Sequence, residues 1–329
     1  MKKVSILVAV YNGEAWLSRC LNSLFAQTYT NIEIICVDDA STDNSLQLIK
    51  EFAQKHDNLK YLSNSINCGQ AVSRNRAFDV STGDYVLMVD CDDWLSKDAI
   101  EKAVGVLDSH PDTASVLFRL MYHYSADGSE REFVNKCDNK VLSGVEAMRL
   151  ALSWDIHGVY MTRRSLYEKY PFDTSGRLYS DDNTTRRHYL HSGFVRFCDG
   201  IYYYYQHPNS MTHNPGILVA DWMEAMYSLK TMLVDEGMED ELINNIEFRL
   251  WESVVSAAGC YWRNKKCLDN KQRDALLQRI RNFHSKIELG RLPLLLRCKF
   301  GYIPFKRFFP LFMLQARVYF ALRMLLKGI

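Results

Sequence analysis

Short apolar runs alternate with amphipathic segments along the first hundred residues. The runs are nearly continuous in Val, Ile and Leu, which is typical of strands buried on both faces of a sheet. The predicted elements are strands at residues 4–10, 32–37, 59–62 and 85–89, and helices at 14–27, over Leu46, Ile49 and Phe52, and at 70–80. This alternation predicts an α/β fold with a mixed, mostly parallel sheet between helices.

The pattern becomes less regular after residue 113. Predicted strands at 114–124 and 131–136 flank an Asp-Gly turn, a helix follows at 143–152, and an aromatic strand occupies 194–205. Beyond residue 216 the pattern is almost entirely helical. We therefore expect an α/β domain over residues 1–215 and a helical C-terminal region with a basic amphipathic tail over residues 216–329.

The charge is balanced overall but not along the chain. The 329 residues carry a net charge of +1, which argues against a nucleic-acid partner. Residues 281–329 hold ten Lys or Arg and one acid, Glu288. We interpret residues 285–329 as a segment that attaches to an anionic membrane surface. The alternatives are a helical bundle packed on the catalytic domain or a homodimer contact.

The cysteine pattern and the N-terminus indicate a compartment. The nine cysteines include no C-x-x-C pair, most lie in apolar runs, and reduced thiols are the simplest interpretation. The chain starts directly with a predicted strand, without a signal-peptide pattern, and has no stretch of 18 uncharged apolar residues. We expect a cytoplasmic protein that is peripheral on the inner face of the membrane.

Clustered carboxylates follow the predicted strand at 85–89. Asp90, Asp92 and Asp93 repel one another at a strand end unless a cation neutralises them. Hard oxygen ligands suit Mg²⁺ or Mn²⁺, which proteins often bind through one or two carboxylates plus substrate phosphates. The alternative is a solvated acidic loop that caps the next helix.

Polar residues also end the first two predicted strands. In such sheets, ligands bind outside the carboxyl ends of the strands. Asp38 or Asp39 can accept a hydrogen bond from a nucleobase or a ribose there, and Tyr11 can stack on a base before the Asn12-Gly13 turn. The alternatives are a turn and helix cap for the aspartates and core packing for the tyrosine.

Two further polar positions stand at predicted helix starts. Arg74 can contact a phosphate or hold the acidic loop in place, and the alternative is a surface arginine. Asp181 and Asp182 precede a polar helix, whose dipole favours an ionised carboxylate suited to a general base. They can also be capping residues with no other role.

Four segments occur in an order and spacing that resemble the family 2 glycosyltransferases. They are residues 4–12, 37–43, 71–75 and 90–93. The resemblance is strong to about residue 110 and weaker to about 215. It implies the GT-A fold, sugar transfer with inversion from a nucleotide-sugar donor, usually a UDP-sugar, and a place in bacterial cell-surface polysaccharide, capsule or lipopolysaccharide synthesis.

The resemblance also implies roles for single residues. The nucleotide-binding positions are Ala9, Tyr11, Asn12, Asp39, Arg74 and Asp90. Asp90 and Asp92 match the D-x-D motif that binds ribose and a Mn²⁺ or Mg²⁺ cofactor, with Asp92 as the metal ligand. The family's Glu-Asp pair appears as Asp181-Asp182, so Asp182 falls at the catalytic base.

The segment 202–212 resembles a family stretch that closes over the diphosphate. His207 or His213 would then touch the metal or a phosphate, whereas the alternative is an aromatic strand packed in the core. A Q-x-x-R-W motif does not occur in the sequence, so a processive polysaccharide synthase is not expected.

These features favour transfer of a sugar to a hydroxyl of a glycan or lipid-linked acceptor. The alternative within the same fold is a catalytically inactive nucleotide-sugar-binding scaffold. A hydrolase that uses Asp90 and Asp182 as paired acid and base is a third hypothesis.

Overall fold

The structure is a computed structural model. The structure describes residues 1–137, 139–176, 180–208, 220–265, 267–294 and 308–327. The chain divides into two compact units, Met1–Ser210 and Met211–Ile329.

The first unit is an α/β domain. Its strands are β1 Val4–Val10, β2 Ile32–Asp38, β3 Leu59–Ser63, β4 Tyr85–Met88, β5 Trp94–Leu95, β6 Thr113–Tyr124, β7 Glu130–Glu132, β8 Val141–Ser143, β9 Tyr160–Arg163 and β10 Phe194–Gln206. Its helices are α1 Glu14–Phe25, α2 Ser45–Ala53, α3 Gln70–Asp79, α4 Ala99–Ser109, α5 Gly144–Leu152, α6 Arg164–Lys169 and α7 Ser180–Leu190.

These strands form one mixed sheet, in the order β3-β2-β1-β4-β9-β6-β10-β5. The first four are parallel, β9 is antiparallel to both β4 and β6, and β10 runs parallel to β6. β7 pairs with β6, and β8 pairs with β10. The sheet confirms the predicted α/β class.

The continuous apolar runs are explained by burial on both faces of the sheet. Ile6 and Ile34 belong to one core with leucines of α1, whereas their neighbours Leu7 and Ile35 belong to a second core with Phe78 of α3. Because successive strand residues point to opposite faces, a strand covered on both sides needs apolar residues at nearly every position.

The second unit is helical. Its longer helices are α8 Asp221–Asp235, α9 Asp240–Asn264, α10 Asn270–Lys286 and α11 Phe309–Lys327, with a 3₁₀ turn at Leu289–Arg291. Gly259 of α9 makes room for α11, because a Cβ atom there would lie 2.5 Å from the Phe320 ring. None of the helices in the described ranges is both long and apolar enough to cross a membrane.

Candidate active site

The parallel strands end at one edge of the sheet, and the predicted site begins there. Val10 is paired with Asp38 at the ends of β1 and β2, and the Asp39 N–H donates to the Val10 carbonyl at 2.7 Å. The Val89 N–H donates to Leu7, so β4 delivers Asp90 to the same edge. The predicted nucleotide-binding residues therefore gather where ligands bind in open α/β sheets.

Asp39 is buried and ties the end of β2 to the start of α3. Its Oδ1 accepts from Asn64 Nδ2 at 2.6 Å and from the Cys68 N–H at 2.8 Å. Its Oδ2 accepts from the Gly69 N–H at 2.7 Å. Asp38 is equally buried, but its Oδ1 has no hydrogen-bond partner among the described residues. Both carboxylate oxygens of Asp39 are therefore used to hold the loop before α3. Among the described residues, the buried oxygen that remains available to a ligand is Oδ1 of Asp38.

The exit from β1 places one aromatic ring at this edge. Tyr11 is 45% exposed, and Ala9 is partly exposed. Asn12 has a positive φ of 51°, its N–H donates to Ser41 Oγ, and its Oδ1 accepts from the Thr42 N–H at 2.8 Å. Asn12 therefore shapes the turn, while Tyr11 presents a surface on which a flat ligand can stack.

Arg74 of α3 connects the carboxylates. It is 2% exposed, so the alternative of a surface arginine is wrong. Its Nη2 donates to Asp90 Oδ1 at 2.5 Å, and its Nη1 lies 3.9 Å from Asp181 Oδ2. Its Nε has no hydrogen-bond partner among the described residues. A buried guanidinium with an unused donor suits a ligand oxygen, for which arginine provides a planar fork.

The acidic loop after β4 is held by an aromatic strand. Asp93 is 1% exposed, and its carboxylate accepts from the Tyr202 hydroxyl at 2.7 Å and from the Tyr205 N–H at 2.8 Å. The Asp90 N–H donates to the same Tyr202 hydroxyl. Burial, followed by the charges of Asp92 and Asp90, raises the pKa of Asp93 well above its usual range. Asp93 therefore fixes the loop, and Asp90 and Asp92 remain accessible.

Asp92 meets the end of β10. Its Oδ2 lies 3.0 Å from His207 Nε2, and the Arg19 guanidinium donates to its carbonyl at 2.8 Å. Arg19 is itself packed between the rings of Trp94 and Tyr205, at 3.9 and 4.1 Å from their centroids. The aromatic strand thus packs in the core and also brings His207 to the acidic loop, while His213 lies outside the described residues.

The residues fit a divalent cation in part. Burial and the nearby Asp90 charge raise the pKa of Asp92, as expected where anions crowd without a cation. Within the described part of the chain, three His, Cys, Asp or Glu side chains do not converge on one point. Asp92 and His207 offer one oxygen and one nitrogen ligand, and Asp90 already pairs with Arg74, so a cation there would need its remaining ligands from substrate phosphates or water.

The first turn of α7 carries two aspartates that point in different directions. Asp181 accepts from Gln70 Nε2 at 3.3 Å and faces Arg74, whereas Asp182 lies 3.7 Å from Arg186 one turn later. Both lie within the helix, not before it as predicted. Burial, with the Asp181 charge, raises the pKa of Asp182 to about 7 against the opposing effect of Arg186.

Sequence reasoning missed three supporting residues. Tyr202, Arg19 and Asn64 bind the loops that carry Asp90, Asp92 and Asp39. Their roles depend on contacts between residues far apart in sequence, and a single sequence gives no signal of such pairs. Only the run of tyrosines in β10 indicated that this strand is special.

Comparisons with known proteins identify relatives of this chain. The chain matches the model of glycosyl transferase family 2 over residues 5–171. It is 30% identical to the glycosyltransferase GlyA of Streptococcus pneumoniae over 241 residues, which is 68% of this chain and 33% of GlyA. It is 26% identical to the poly(ribitol-phosphate) beta-N-acetylglucosaminyltransferase TarS of Staphylococcus aureus over 245 residues, 73% of this chain and 42% of TarS.

The fold agrees with a solved relative. The crystal structure of S. aureus TarS 1–349 in complex with UDP-GlcNAc matches with a TM-score of 0.65 and 18% identity, covering 99% of this chain and 92% of that one. The match spans only about a third of GlyA and less than half of the full TarS protein. The chain belongs to the family 2 glycosyltransferases and has the GT-A fold. The predicted family and fold are confirmed.

Proposed function

We propose that this chain transfers a sugar from a nucleoside diphosphate sugar, most simply a UDP-sugar, to a hydroxyl group of a glycan or lipid-linked acceptor. The observation that carries the proposal is one connected cluster. Arg74 joins Asp90 of the acidic loop to Asp181 of α7, directly beside Asp182. A donor-holding group and a base thus lie next to each other, as a single displacement with inversion requires.

The donor side follows from the sheet edge. Tyr11 offers a ring for the base, and Asp38 and Asp39 offer carboxylates for the base or ribose. Arg74 offers a free N–H to a diphosphate oxygen. The UDP-GlcNAc complex of TarS is a precedent for such a donor in a relative of the same fold.

The leaving diphosphate needs positive charge. Asp92 and His207 would hold a Mn²⁺ or Mg²⁺ ion, which when bound supplies electrostatic stabilisation of the charge that develops on the diphosphate. The Arg74 guanidinium adds a fixed positive charge beside Asp90 of the same acidic loop. Arg19 holds the acidic loop in place by donating a hydrogen bond to the backbone carbonyl of Asp92.

Asp182 is the proposed base. The pKa of an alcohol is far above neutral, so a carboxylate that accepts its proton as the C–O bond forms contributes about 10²–10⁴-fold in rate. A pKa near 7 lets Asp182 be substantially ionised at neutral pH and still bind a proton well. Asp181 is less suited, because it already faces Arg74 and Gln70.

The test is a transfer assay with a panel of nucleotide sugars, with Mn²⁺ or with EDTA. We expect Asp182→Asn to lower turnover at least ~100-fold and to leave donor affinity, measured by calorimetry, within about twofold. Asp84→Asn is the control, because Asp84 pairs with Lys2 at the opposite end of β4 from Asp90. Turnover by Asp182→Asn close to that of the unaltered protein would exclude Asp182 as the base. Donor binding without any transfer would favour the inactive scaffold, and full activity in EDTA would exclude the cation.

The C-terminal unit carries a second proposal, which concerns location. We infer that α11 rests on an anionic membrane surface. One face of α11 packs on α9 through Phe312, Ala316 and Phe320. The opposite face exposes large aliphatic residues at helical spacing: Leu311, Leu314, Val318, Leu322 and Leu325. Residues 309–327 include Arg and Lys but neither Asp nor Glu. The net positive charge of α11 favours contact with anionic headgroups over contact with a second copy of the same cationic helix.

A further inference from the structure

A tryptophan beside the proposed base is held in an unusual backbone conformation. Trp154 follows α5 with a φ of 59°, in the left-handed region that bulky side chains rarely adopt. Half of its surface is exposed. The turn is fixed on both sides, because the Asp155 N–H donates to Leu150 and the Asp155 carbonyl accepts from the Lys136 N–H. Strain at an exposed aromatic residue is more readily explained by function than by packing.

Trp154 and the proposed base line the same small pocket. Ala151, Trp154 and Ile156 give the pocket an apolar wall, and Asp182, Thr185 and Arg186 of α7 give it a polar one. The backbone at Gly158 approaches Thr185 closely, since a Cβ atom there would lie 3.2 Å from the Thr185 hydroxyl. The space between these walls is about the size of one water molecule, so it can take a single hydroxyl group of a ligand whose ring lies on the exposed indole.

This pocket differs from the donor side of the cluster. Asp181 faces Arg74, which binds the acidic loop, whereas Asp182 faces the Trp154 pocket. A single displacement requires donor and acceptor on different sides of the reacting carbon. The position of the pocket therefore fits the acceptor.

We propose that Trp154 is the platform on which a ring sugar of the acceptor stacks, with one of its hydroxyl groups directed at Asp182. This inference rests on the proposed function and specifies its acceptor. A pyranose has flat C–H faces and a polar rim, and an indole offers a rigid apolar surface at low entropic cost. An open-chain polyol phosphate has no flat face to stack. The chain would therefore prefer a glycan acceptor to ribitol phosphate, the repeating unit in the name of its relative TarS.

The test compares acceptors and variants of the full chain. Trp154→Gly removes the indole and permits the positive φ, and Trp154→Phe keeps an aromatic face. Phe194→Ala is the matched control, because Phe194 is also exposed but does not line the pocket. We expect Trp154→Gly to raise the KM for methyl pyranosides or disaccharides at least ~10-fold, and Trp154→Phe to raise it about two- to threefold. Nucleotide affinity by calorimetry is expected to stay unchanged in all three variants.

A second measurement separates this inference from the proposed function. Saturation-transfer NMR with methyl pyranosides detects binding whether or not sugar is transferred. Three results would each contradict the role of Trp154 as the platform. They are saturation-transfer signals that persist in Trp154→Gly, an acceptor KM that is unchanged in that variant, and equal use of ribitol 5-phosphate and pyranosides as acceptors. If the unaltered chain transfers no sugar but binds pyranosides through Trp154, the proposed transfer fails and the platform stands.

Discussion

At the scale of single residues, the chemistry depends on how the surroundings adjust one carboxyl group. Asp182 keeps a quarter of its side-chain surface exposed, yet its pKa rises to about 7 because of burial and the neighbouring Asp181. Arg186, 3.7 Å away, opposes that rise. The protonation state of the proposed base is therefore balanced between two neighbours on its own helix.

This balance predicts a pH profile. The base acts only when ionised, so kcat/KM is expected to rise tenfold per pH unit below about pH 7 and to level off above it. Arg186→Gln removes the cation that favours ionisation of Asp182. The acidic limb of the profile, where kcat/KM rises with pH, is therefore expected to move to higher pH. Arg187→Gln is the control, because the Arg187 guanidinium lies over the Tyr170 ring instead. A limb at the same pH in Arg186→Gln would show that another group controls the profile.

At the scale of elements, the site depends on how strand ends are joined to helix starts. Asp39, at the end of β2, collects three N–H donors from the loop that leads into α3. That loop sets where α3 begins, and α3 carries Arg74 to Asp90. A substitution of Asp39 is therefore expected to shift the start of α3 and with it the position of Arg74 in the donor site.

We expect Asp39→Asn to lower the free energy of unfolding by about 1–3 kcal/mol, because one oxygen is replaced by an amide that faces N–H donors. Nucleotide affinity should fall with it. Urea unfolding and calorimetry with UDP measure the two effects. Asp38→Asn is the comparison for stability alone, because within the described residues the Asp38 carboxylate accepts two long bonds of 3.4 Å, from the Ser41 N–H and the Ser63 hydroxyl. If Asp38→Asn loses more nucleotide affinity than Asp39→Asn, the base contact belongs to Asp38.

The elements also show what a sequence can predict. β1 to β4 follow from local apolar runs, because strands covered on both faces need apolar residues almost throughout. β5 and β9 were missed, since they are two and four residues long and exist through pairing with distant strands. The sequence left a surface position open as an alternative for Arg74, because its burial depends on Asp90, Asp181 and Phe172, which are distant in sequence.

At the scale of the whole molecule, charge is separated along the sequence. Residues 1–280 carry a net charge of −8, and residues 281–329 carry +9. The sequence predicted a basic tail with only a modest amphipathic pattern. The structure identifies which face of α11 is covered, because Phe320 fits against Gly259 and the Trp262 indole donates to the Met313 carbonyl at 3.0 Å. The remaining face is therefore the aliphatic one.

If that face meets a membrane, one charge on it should weaken binding. Val318 of α11 and Val234 of α8 are matched, since both are valines on helices and about half exposed, at 51% and 47%. We expect Val318→Glu to reduce flotation of the full chain with phosphatidylglycerol vesicles about tenfold, because burial of a valine is worth roughly 1.5 kcal/mol and a glutamate repels anionic lipid. Val234→Glu should float like the unaltered chain.

Lipid charge and salt provide further controls. Phosphatidylcholine vesicles should bind the chain more weakly because they carry no net charge, and 0.5 M salt should weaken binding because it screens the attraction to the headgroups. Equal flotation of the two variants would exclude this face as the contact, and a loss of dimer on sedimentation in Val318→Glu alone would assign it to a second copy.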